Sequence, residues 1–146
     1  MRDSIGGVVV LVIIVVFIVF ASGYMAFNVN YTKAFNMKNK IISSFEEYKG
    51  NCTSTSSDCA KKIQTYASDI GYHPKLIKCD DGFNNYEDLY CYKDNVVVNG
   101  GGEEGNIEKH YYRIVTRIDI QIPIIENIFG LRILNVSGDT GQFVKE

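Results

Sequence analysis

The stretch FNVNYTKAFNMKNKIISSFEEY, residues 27–48, decides the fold of this protein. Its apolar residues recur at spacings of three and four, which places them on one face of an α-helix. The residues of this stripe are Phe27, Tyr31, Ala34, Met37, Ile41, Phe45 and Tyr48. No proline or glycine interrupts the stretch, and Gly50 is placed to end the helix in a left-handed conformation. The stripe requires a cover, either from the rest of the chain or from neighbouring copies.

Residues 5–27 run directly into this helix, carry no charge and include an uninterrupted apolar run at residues 8–20. At about 1.5 Å per residue they span roughly 34 Å, enough to cross a hydrocarbon core of about 30 Å. We therefore expect one continuous helix over residues 5–49, half in the lipid bilayer and half above it. A cleaved secretory signal is the alternative. The residues expected to form the membrane or assembly face are Gly7, Val8, Val12, Ile14, Phe17 and Phe20.

Flanking charge and cysteine usage give opposite predictions for the orientation of the large domain. Arg2 lies on one side of the apolar run and Lys33, Lys38 and Lys40 lie on the other, so the positive-inside rule places the domain in the cytoplasm. Four cysteines in a small polar region are typical of a disulfide-bonded domain in an oxidising compartment. Since a long translocated domain can override flanking charge, we expect a cytoplasmic N-terminus and an extracytoplasmic C-terminal domain.

The cysteines are Cys52, Cys59, Cys79 and Cys91, and their spacing lacks the close Cys-x2-Cys pairs of structural zinc sites. We expect disulfides, for which three pairings are possible. Bonds between sequential neighbours would close loops of 8 and 13 residues. Each would contribute about 2.5 to 3 kcal/mol of stability in the chain-entropy model.

The remaining chain reads as one short helix followed by strands. A polar loop ends at a helix cap at Ser57 or Asp58, and Ala60, Ile63, Ala67 and Ile70 share one face of that helix. Strands are predicted at residues 89–98, at residues 111–122 and from residue 133, the last broken at Gly138 and resuming near residues 142–144. Residues 99–106 read as a hairpin loop or longer turn.

These elements predict an α+β fold in which a long N-terminal helix packs under a small antiparallel sheet, because that arrangement buries both apolar faces. The chain divides into a transmembrane helix half at residues 1–27, an amphipathic stalk helix at residues 28–50 and a disulfide-bonded head at residues 51–146.

Three stretches resemble the type IV pilins and pseudopilins, and more narrowly the TadE-like minor pilins of tight-adherence systems. They are GGVVVLVIIVVF at residues 6–17, NYTKA at residues 30–34 and RIDIQIPIIENIFGLRILNVSGDT at residues 117–140. The resemblance implies a pilin-like head and assembly with other pilin-like subunits through the N-terminal helix. It also implies a carboxylate near the start of that helix, where Asp3 is the only acid.

Other function classes have little support in the sequence. A formal net charge of −2 creates no field for nucleic acid. His73 and His110 lie outside any catalytic motif, so no enzyme is expected and no cofactor is implied. The segment DDGFNNYED, residues 80–88, is rich in oxygen ligands for calcium but misses the EF-hand spacing, and we interpret it as a solvated turn.

Two functional hypotheses follow. The first is a structural minor pilin or pseudopilin, whose partners are the bilayer, other pilin-like subunits and the assembly machinery of a pilus or secretion system. The second is a membrane-anchored extracellular binding module that never polymerises. They differ in the stripe at residues 27–48: an anchored module should cover all of it with its own sheet, whereas a pilin should leave part of it open to neighbours.

Overall fold

The computed structural model describes residues 2–74, 78–99, 107–119 and 133–144. In these ranges the elements are α1 Arg2–Glu47, α2 Asp58–Asp69, β1 Asn84–Tyr86, β2 Tyr90–Asn99, β3 Ile107–Asp119 and β4 Ile133–Asp139. The strands form one antiparallel sheet in the order β1-β2-β3-β4. The α+β architecture, with a long N-terminal helix over a small antiparallel sheet, is the one that the sequence predicts.

The long helix α1 contains 46 residues, which corresponds to a length of about 69 Å. It ends two residues before the expected position, because Lys49 already has a positive φ of 47°. Gly50, with φ 80°, completes the left-handed turn, and its backbone N–H donates to the carbonyl of Phe45 at 2.8 Å. The chain leaves the helix axis at this turn and enters the head.

The sheet packs on the C-terminal half of α1. Ala34, Met37, Ile41 and Phe45 of the helix are fully buried, together with Tyr112, Ile114, Thr116 and Ile118 of β3. The alternation along β3 therefore buries the residues that the sequence places on one strand face. The ring of Phe45 lies 5.0 Å from that of Tyr112 and 6.3 Å from that of Tyr90, centroid to centroid. These rings form the centre of the core.

Helix α2 begins at the predicted cap and packs against α1. The Ser57 hydroxyl accepts a hydrogen bond from the backbone N–H of Ala60 at 3.2 Å, which satisfies one free donor of the first turn. Ala60, Ile63 and Ala67 are buried on the predicted face. The short helix thus covers part of α1 that the sheet does not reach.

The strand β1 was not predicted, because its sequence Asn-Asn-Tyr falls inside the segment interpreted as a solvated turn. It forms because Tyr86 pairs with Tyr90 across a tight connection in which Glu87 and Asp88 have positive φ values of 44° and 55°. The side-chain carbonyl of Asn85 accepts from the backbone N–H of Asp88 at 3.0 Å and steadies this turn. Pairing with β2, rather than intrinsic preference, makes this segment a strand.

The predicted bounds of the last two strands also need correction. β3 begins at Ile107, four residues before the expected start at Tyr111. The predicted positions Ile120 and Ile122 lie outside the described residues, as do residues 100–106 of the predicted loop. β4 continues through Gly138 to Asp139. A Cβ at residue 138 would lie 2.9 Å from Cδ1 of Ile42, so this glycine permits close packing of β4 on α1 instead of breaking the strand.

Candidate assembly surface

The N-terminal half of α1 has no cover from its own chain within the described residues. Gly6 through Phe20 are exposed at every position, including the six predicted assembly residues. Those six are Gly7, Val8, Val12, Ile14, Phe17 and Phe20. In the part of the chain that the structure describes, α1 is the one helix long and apolar enough to cross a membrane, with a mean hydropathy of 3.0 in its most apolar window. This half is a candidate membrane span.

The hydroxyl groups of Ser22 and Thr32 are satisfied within α1. The Ser22 hydroxyl donates to the carbonyl of Ile18 at 2.8 Å, and the Thr32 hydroxyl donates to the carbonyl of Asn28 at 2.8 Å. Such bonds to the preceding turn let a hydroxyl enter an apolar environment without losing its hydrogen bond. The Ser22 hydroxyl therefore keeps its hydrogen bond in apolar surroundings.

Three rings extend the apolar surface above the candidate span. The ring centroids of Phe27 and Tyr31 lie 6.2 Å apart and those of Tyr31 and Phe35 lie 6.3 Å apart, in stacked orientations. We name Phe27, Tyr31 and Phe35 the aromatic ladder. The ammonium of Lys38 lies 4.3 Å from the ring centroid of Phe35, the ladder residue farthest from the candidate span. Tyr31 is 43% exposed and Phe35 is 40% exposed.

The structure covers the predicted stripe of the stalk only in part. Ala34, Met37, Ile41 and Phe45 are buried, and Phe27 and Tyr48 are half-buried against the core. Tyr31 was expected in the same stripe, but its side chain is exposed, although the head packs on Phe27 before it and on Ala34 after it. Phe35 was not predicted as part of this surface; its spacing of four from Tyr31 is the signal that could have found it.

Two disulfides join the head, between sequential neighbours. Cys52 is bonded to Cys59 and Cys79 is bonded to Cys91, so all four cysteines of the chain are paired. The first bond links the end of α1 to the first turn of α2, and the second links the segment before β1 to β2. Both bonds therefore fix loops onto the elements that contact the stalk.

A cavity of about 280 Å³ lies where α1, the residues after α2 and β3 meet, and we name it the basal cavity. It is lined by Asn30, Lys33, Gly71, Tyr72, His73, Pro74, Arg117 and Ile118.

Tyr72 is buried, and its hydroxyl donates to the carbonyl of Arg117 and accepts from the backbone N–H of Arg117, both at 3.0 Å. Burial raises the pKa of the Tyr72 hydroxyl to about 12, although the hydrogen bond with Arg117 opposes this shift. The bond joins the segment after α2 to β3.

The two histidines lie in separate places. Nδ1 of His110 lies 3.0 Å from a carboxylate oxygen of Asp94 across the β2–β3 pair, whereas His73 lines the basal cavity. Among the described residues, no three side chains of histidine, cysteine, aspartate or glutamate are grouped so that they could hold a metal ion. The calcium-like segment at residues 80–88 instead contains β1 and its turn.

Comparison of the chain with models of protein families, with curated proteins and with solved structures found no match.

Proposed function

We propose that this protein is a structural minor pilin or pseudopilin, similar to the TadE-like minor pilins, which assembles through its N-terminal helix into a surface filament or secretion pseudopilus. In the proposed topology the N-terminus is cytoplasmic and the disulfide-bonded head is extracytoplasmic. The membrane span stores the subunit in the bilayer until neighbouring subunits replace the lipid around it.

The observation that carries the proposal is the extent of the open apolar surface on α1. It runs from Gly6 through the candidate span to the aromatic ladder and ends at Phe35. Lipid can cover residues 5–27, but Phe35 lies about 12 Å beyond Phe27 along the helix. Its ring is therefore above the hydrocarbon, where another protein surface is the cover that would keep it from water.

Exchange of lipid for like helices is energetically feasible because both environments are apolar. At the start of the span, a Cβ added at Gly6 or Gly7 would meet no atom within 4 Å, so this segment has room for a neighbouring helix. The head then forms the outer surface of the filament or its tip. A membrane-anchored binding module, which would keep α1 in lipid, is the competing function that the experiment must separate from this one.

The test is a cysteine-crosslinking scan in intact cells that express the associated secretion system. Single cysteines at residues 8–16 are paired with single cysteines at residues 18–27, and the sheared extracellular fraction is probed for the head. The native background is suitable because all four native cysteines are disulfide-bonded. We expect crosslinked ladders in the sheared fraction, since staggered helices place these two segments side by side.

The aromatic ladder provides the specific variant. Tyr31→Ala combined with Phe35→Ala removes two exposed rings, each worth about 1 to 2 kcal/mol if buried by a neighbour, and should reduce the sheared ladders by at least about tenfold. The matched control is Val96→Ala, which truncates a similarly exposed apolar residue on β2 of the head. Monomer confined to the membrane pellet would refute the filament and favour the anchored module.

A further inference from the structure

The basal cavity carries charge of one sign. Its two charged wall residues are Lys33 from α1 and Arg117 from β3, and none of its eight lining residues is acidic. The chain as a whole has a formal net charge of −2, so the positive wall is a local feature and does not follow from composition. Residues far apart in the sequence are brought to one cavity by the packing of β3 on α1.

Within the described residues, neither cation is neutralised by a carboxylate. Nζ of Lys33 approaches the backbone carbonyl of Gly71 at 3.5 Å, the limit of a hydrogen bond. The guanidinium of Arg117 donates to the carbonyl of Lys78, while its Nε is shielded from solvent and has no partner. Across residues 2–74, 78–99, 107–119 and 133–144, no ion pair includes Lys33 or Arg117. Within the described residues, most N–H donors of this guanidinium therefore have no hydrogen-bond acceptor.

The cavity lies at the height of lipid headgroups if residues 5–27 cross the bilayer. Asn30 and Lys33 follow Phe27 by three and six residues, which places them about 4.5 Å and about 9 Å beyond it along the helix. The headgroup layer extends roughly 5 to 8 Å beyond the hydrocarbon on each side, so Asn30 lies within it and the backbone of Lys33 lies at its outer edge. An anionic headgroup is therefore the nearest and most concentrated anion for this cavity.

We propose that the basal cavity binds a phosphate group, of the kind carried by a phospholipid headgroup or by free inorganic phosphate. The Lys33 ammonium and the Arg117 guanidinium supply the charge, and the Asn30 amide is a neutral donor on the same wall. The Tyr72 hydroxyl does not contact the anion, since both of its hydrogen bonds are made with the backbone of Arg117; it is a positioning group. A phosphate held in this way would fix the height and tilt of the head above the membrane.

This inference is independent of filament assembly, because it concerns the membrane-resident subunit and uses a different surface. The aromatic ladder has no residue in common with the basal cavity. A protein that never polymerises could bind phosphate here, and a filament subunit could lack the site. Failure of one proposal therefore leaves the other standing.

The experiment uses the full chain in neutral detergent micelles at about 0.15 M salt, a concentration that screens diffuse attraction beyond about 8 Å. Three probes are titrated separately: inorganic phosphate, dihexanoyl phosphatidylglycerol below its micellar concentration, and dihexanoylglycerol, which has the same chains without phosphate. Backbone amide NMR shifts of Gly71, Tyr72, His73 and Arg117 report occupancy. We expect saturable shifts with a phosphate-bearing probe and none with dihexanoylglycerol.

Lys33→Gln removes one charge from the cavity wall and should raise the Kd for phosphate-bearing probes about tenfold, the effect of losing one charge-assisted hydrogen bond. The matched control, Lys61→Gln, removes a highly exposed lysine that does not line the cavity, and should leave the Kd unchanged. Arg117→Lys keeps the charge but removes the planar donor fork, and should weaken binding less than the double substitution of Lys33→Gln with Arg117→Gln.

The results separate the two sources of phosphate. Saturation by both phosphate probes assigns a general phosphate site, and saturation by the lipid alone assigns a headgroup site. The proposal is overturned if no phosphate probe shifts these amides, if dihexanoylglycerol shifts them equally, or if Lys61→Gln weakens binding as much as Lys33→Gln. Thermal unfolding of each variant checks that a lost signal does not reflect a lost fold.

Discussion

The hydroxyl oxygen of Thr116 lies 3.1 Å from the backbone carbonyl oxygen of Ala34, which joins the strand β3 to the buried face of the long helix. The same hydroxyl lies 3.3 Å from the carbonyl of Val136 on β4. Thr116 is fully buried, so one polar group links three elements inside an otherwise apolar core.

Thr116→Val should destabilise the head by about 1 kcal/mol. The substitution keeps the shape of the side chain but removes its donor, while the backbone carbonyls of Ala34 and Val136 retain their own partners in the helix and the sheet. Urea unfolding of the full chain in detergent, followed by tyrosine fluorescence, measures the change. Thr65→Val is the control. The Thr65 hydroxyl is exposed and donates to the carbonyl of Lys61 within α2. Because surface substitutions usually change the free energy of unfolding by less than about 0.5 kcal/mol, this variant should be nearly as stable as the wild type. A Thr116→Val variant as stable as the wild type would show that apolar packing alone joins helix and sheet.

Gly50→Ala should cost about 3 kcal/mol, and Gly71→Ala only about 1 kcal/mol. Both glycines have left-handed backbones, with φ values of 80° and 63°, so both substitutions incur a similar strain of about 1 kcal/mol. They differ in space: a Cβ at residue 50 would lie 2.7 Å from Cε2 of the Tyr112 ring, whereas at residue 71 the nearest atom is Nζ of Lys33 at 3.5 Å. Hydrogen exchange of the β3 amides reports the difference. Equal losses would mean that the ring of Tyr112 can move aside.

The two disulfides should be reduced in a fixed order under native conditions. Cys79 is partly exposed, whereas Cys52 and Cys59 are both fully buried, and a reductant must reach a sulfur atom to attack it. We therefore expect Cys79 and Cys91 to be alkylated first when the folded protein is treated with dithiothreitol, as followed by peptide mass spectrometry. Loss of this cross-link should lower stability by about 3 kcal/mol in the chain-entropy model. Earlier labelling of Cys52 would indicate that the turn after α1 opens more readily than the loop before β1.

The head should lose stability as the pH rises from about 10 to about 12. Burial raises the pKa of Tyr72 to about 12 from an ordinary value of 10.0, so the unfolded chain releases this proton first. The contribution is present in full below about pH 10 and falls by about 3 kcal/mol on passing through the folded-state pKa. Burial also raises the pKa values of Tyr90 and Tyr112, which adds to the loss in the same direction.

Thermal unfolding followed by far-UV circular dichroism at about pH 8, 10, 11 and 12 measures this dependence. Tyr72→Phe should be about 1 kcal/mol less stable than the wild type near pH 8, because it loses the hydrogen bonds to Arg117. Its stability should decline less steeply above about pH 10. Identical slopes for the two proteins would assign the alkaline loss to other groups.

Local patterns in the sequence were sufficient for the main elements. The spacing of Ala34, Met37, Ile41 and Phe45 predicts the buried face of α1, and the alternation of Tyr112, Ile114, Thr116 and Ile118 predicts the buried face of β3. Both predictions succeed because helix and strand periods are properties of neighbouring residues, and burial of the two faces against each other is the simplest way to satisfy both.

Local patterns were insufficient wherever a distant segment decides the outcome. Asn-Asn-Tyr has little preference for a strand, and β1 exists because β2 offers it a partner. Gly138 predicts a strand break, yet it lies inside β4 because it pairs with Ile114 of β3, and a Cβ there would lie 2.9 Å from Cδ1 of Ile42. Neither partner can be identified from the residues adjacent in the chain.

The sequence by itself determined that α1 is one continuous helix with an apolar half and an amphipathic half. Charge, hydrophobicity and the helical spacing of apolar residues depend only on residues that are close together in the sequence. The tertiary structure alone decided which residues of that helix the head covers. It leaves Tyr31 open and buries Ala34, and it brings Lys33, Tyr72 and Arg117 to one cavity. Those outcomes depend on which residues of the helix the sheet and α2 contact, and that is set by packing between segments far apart in the chain.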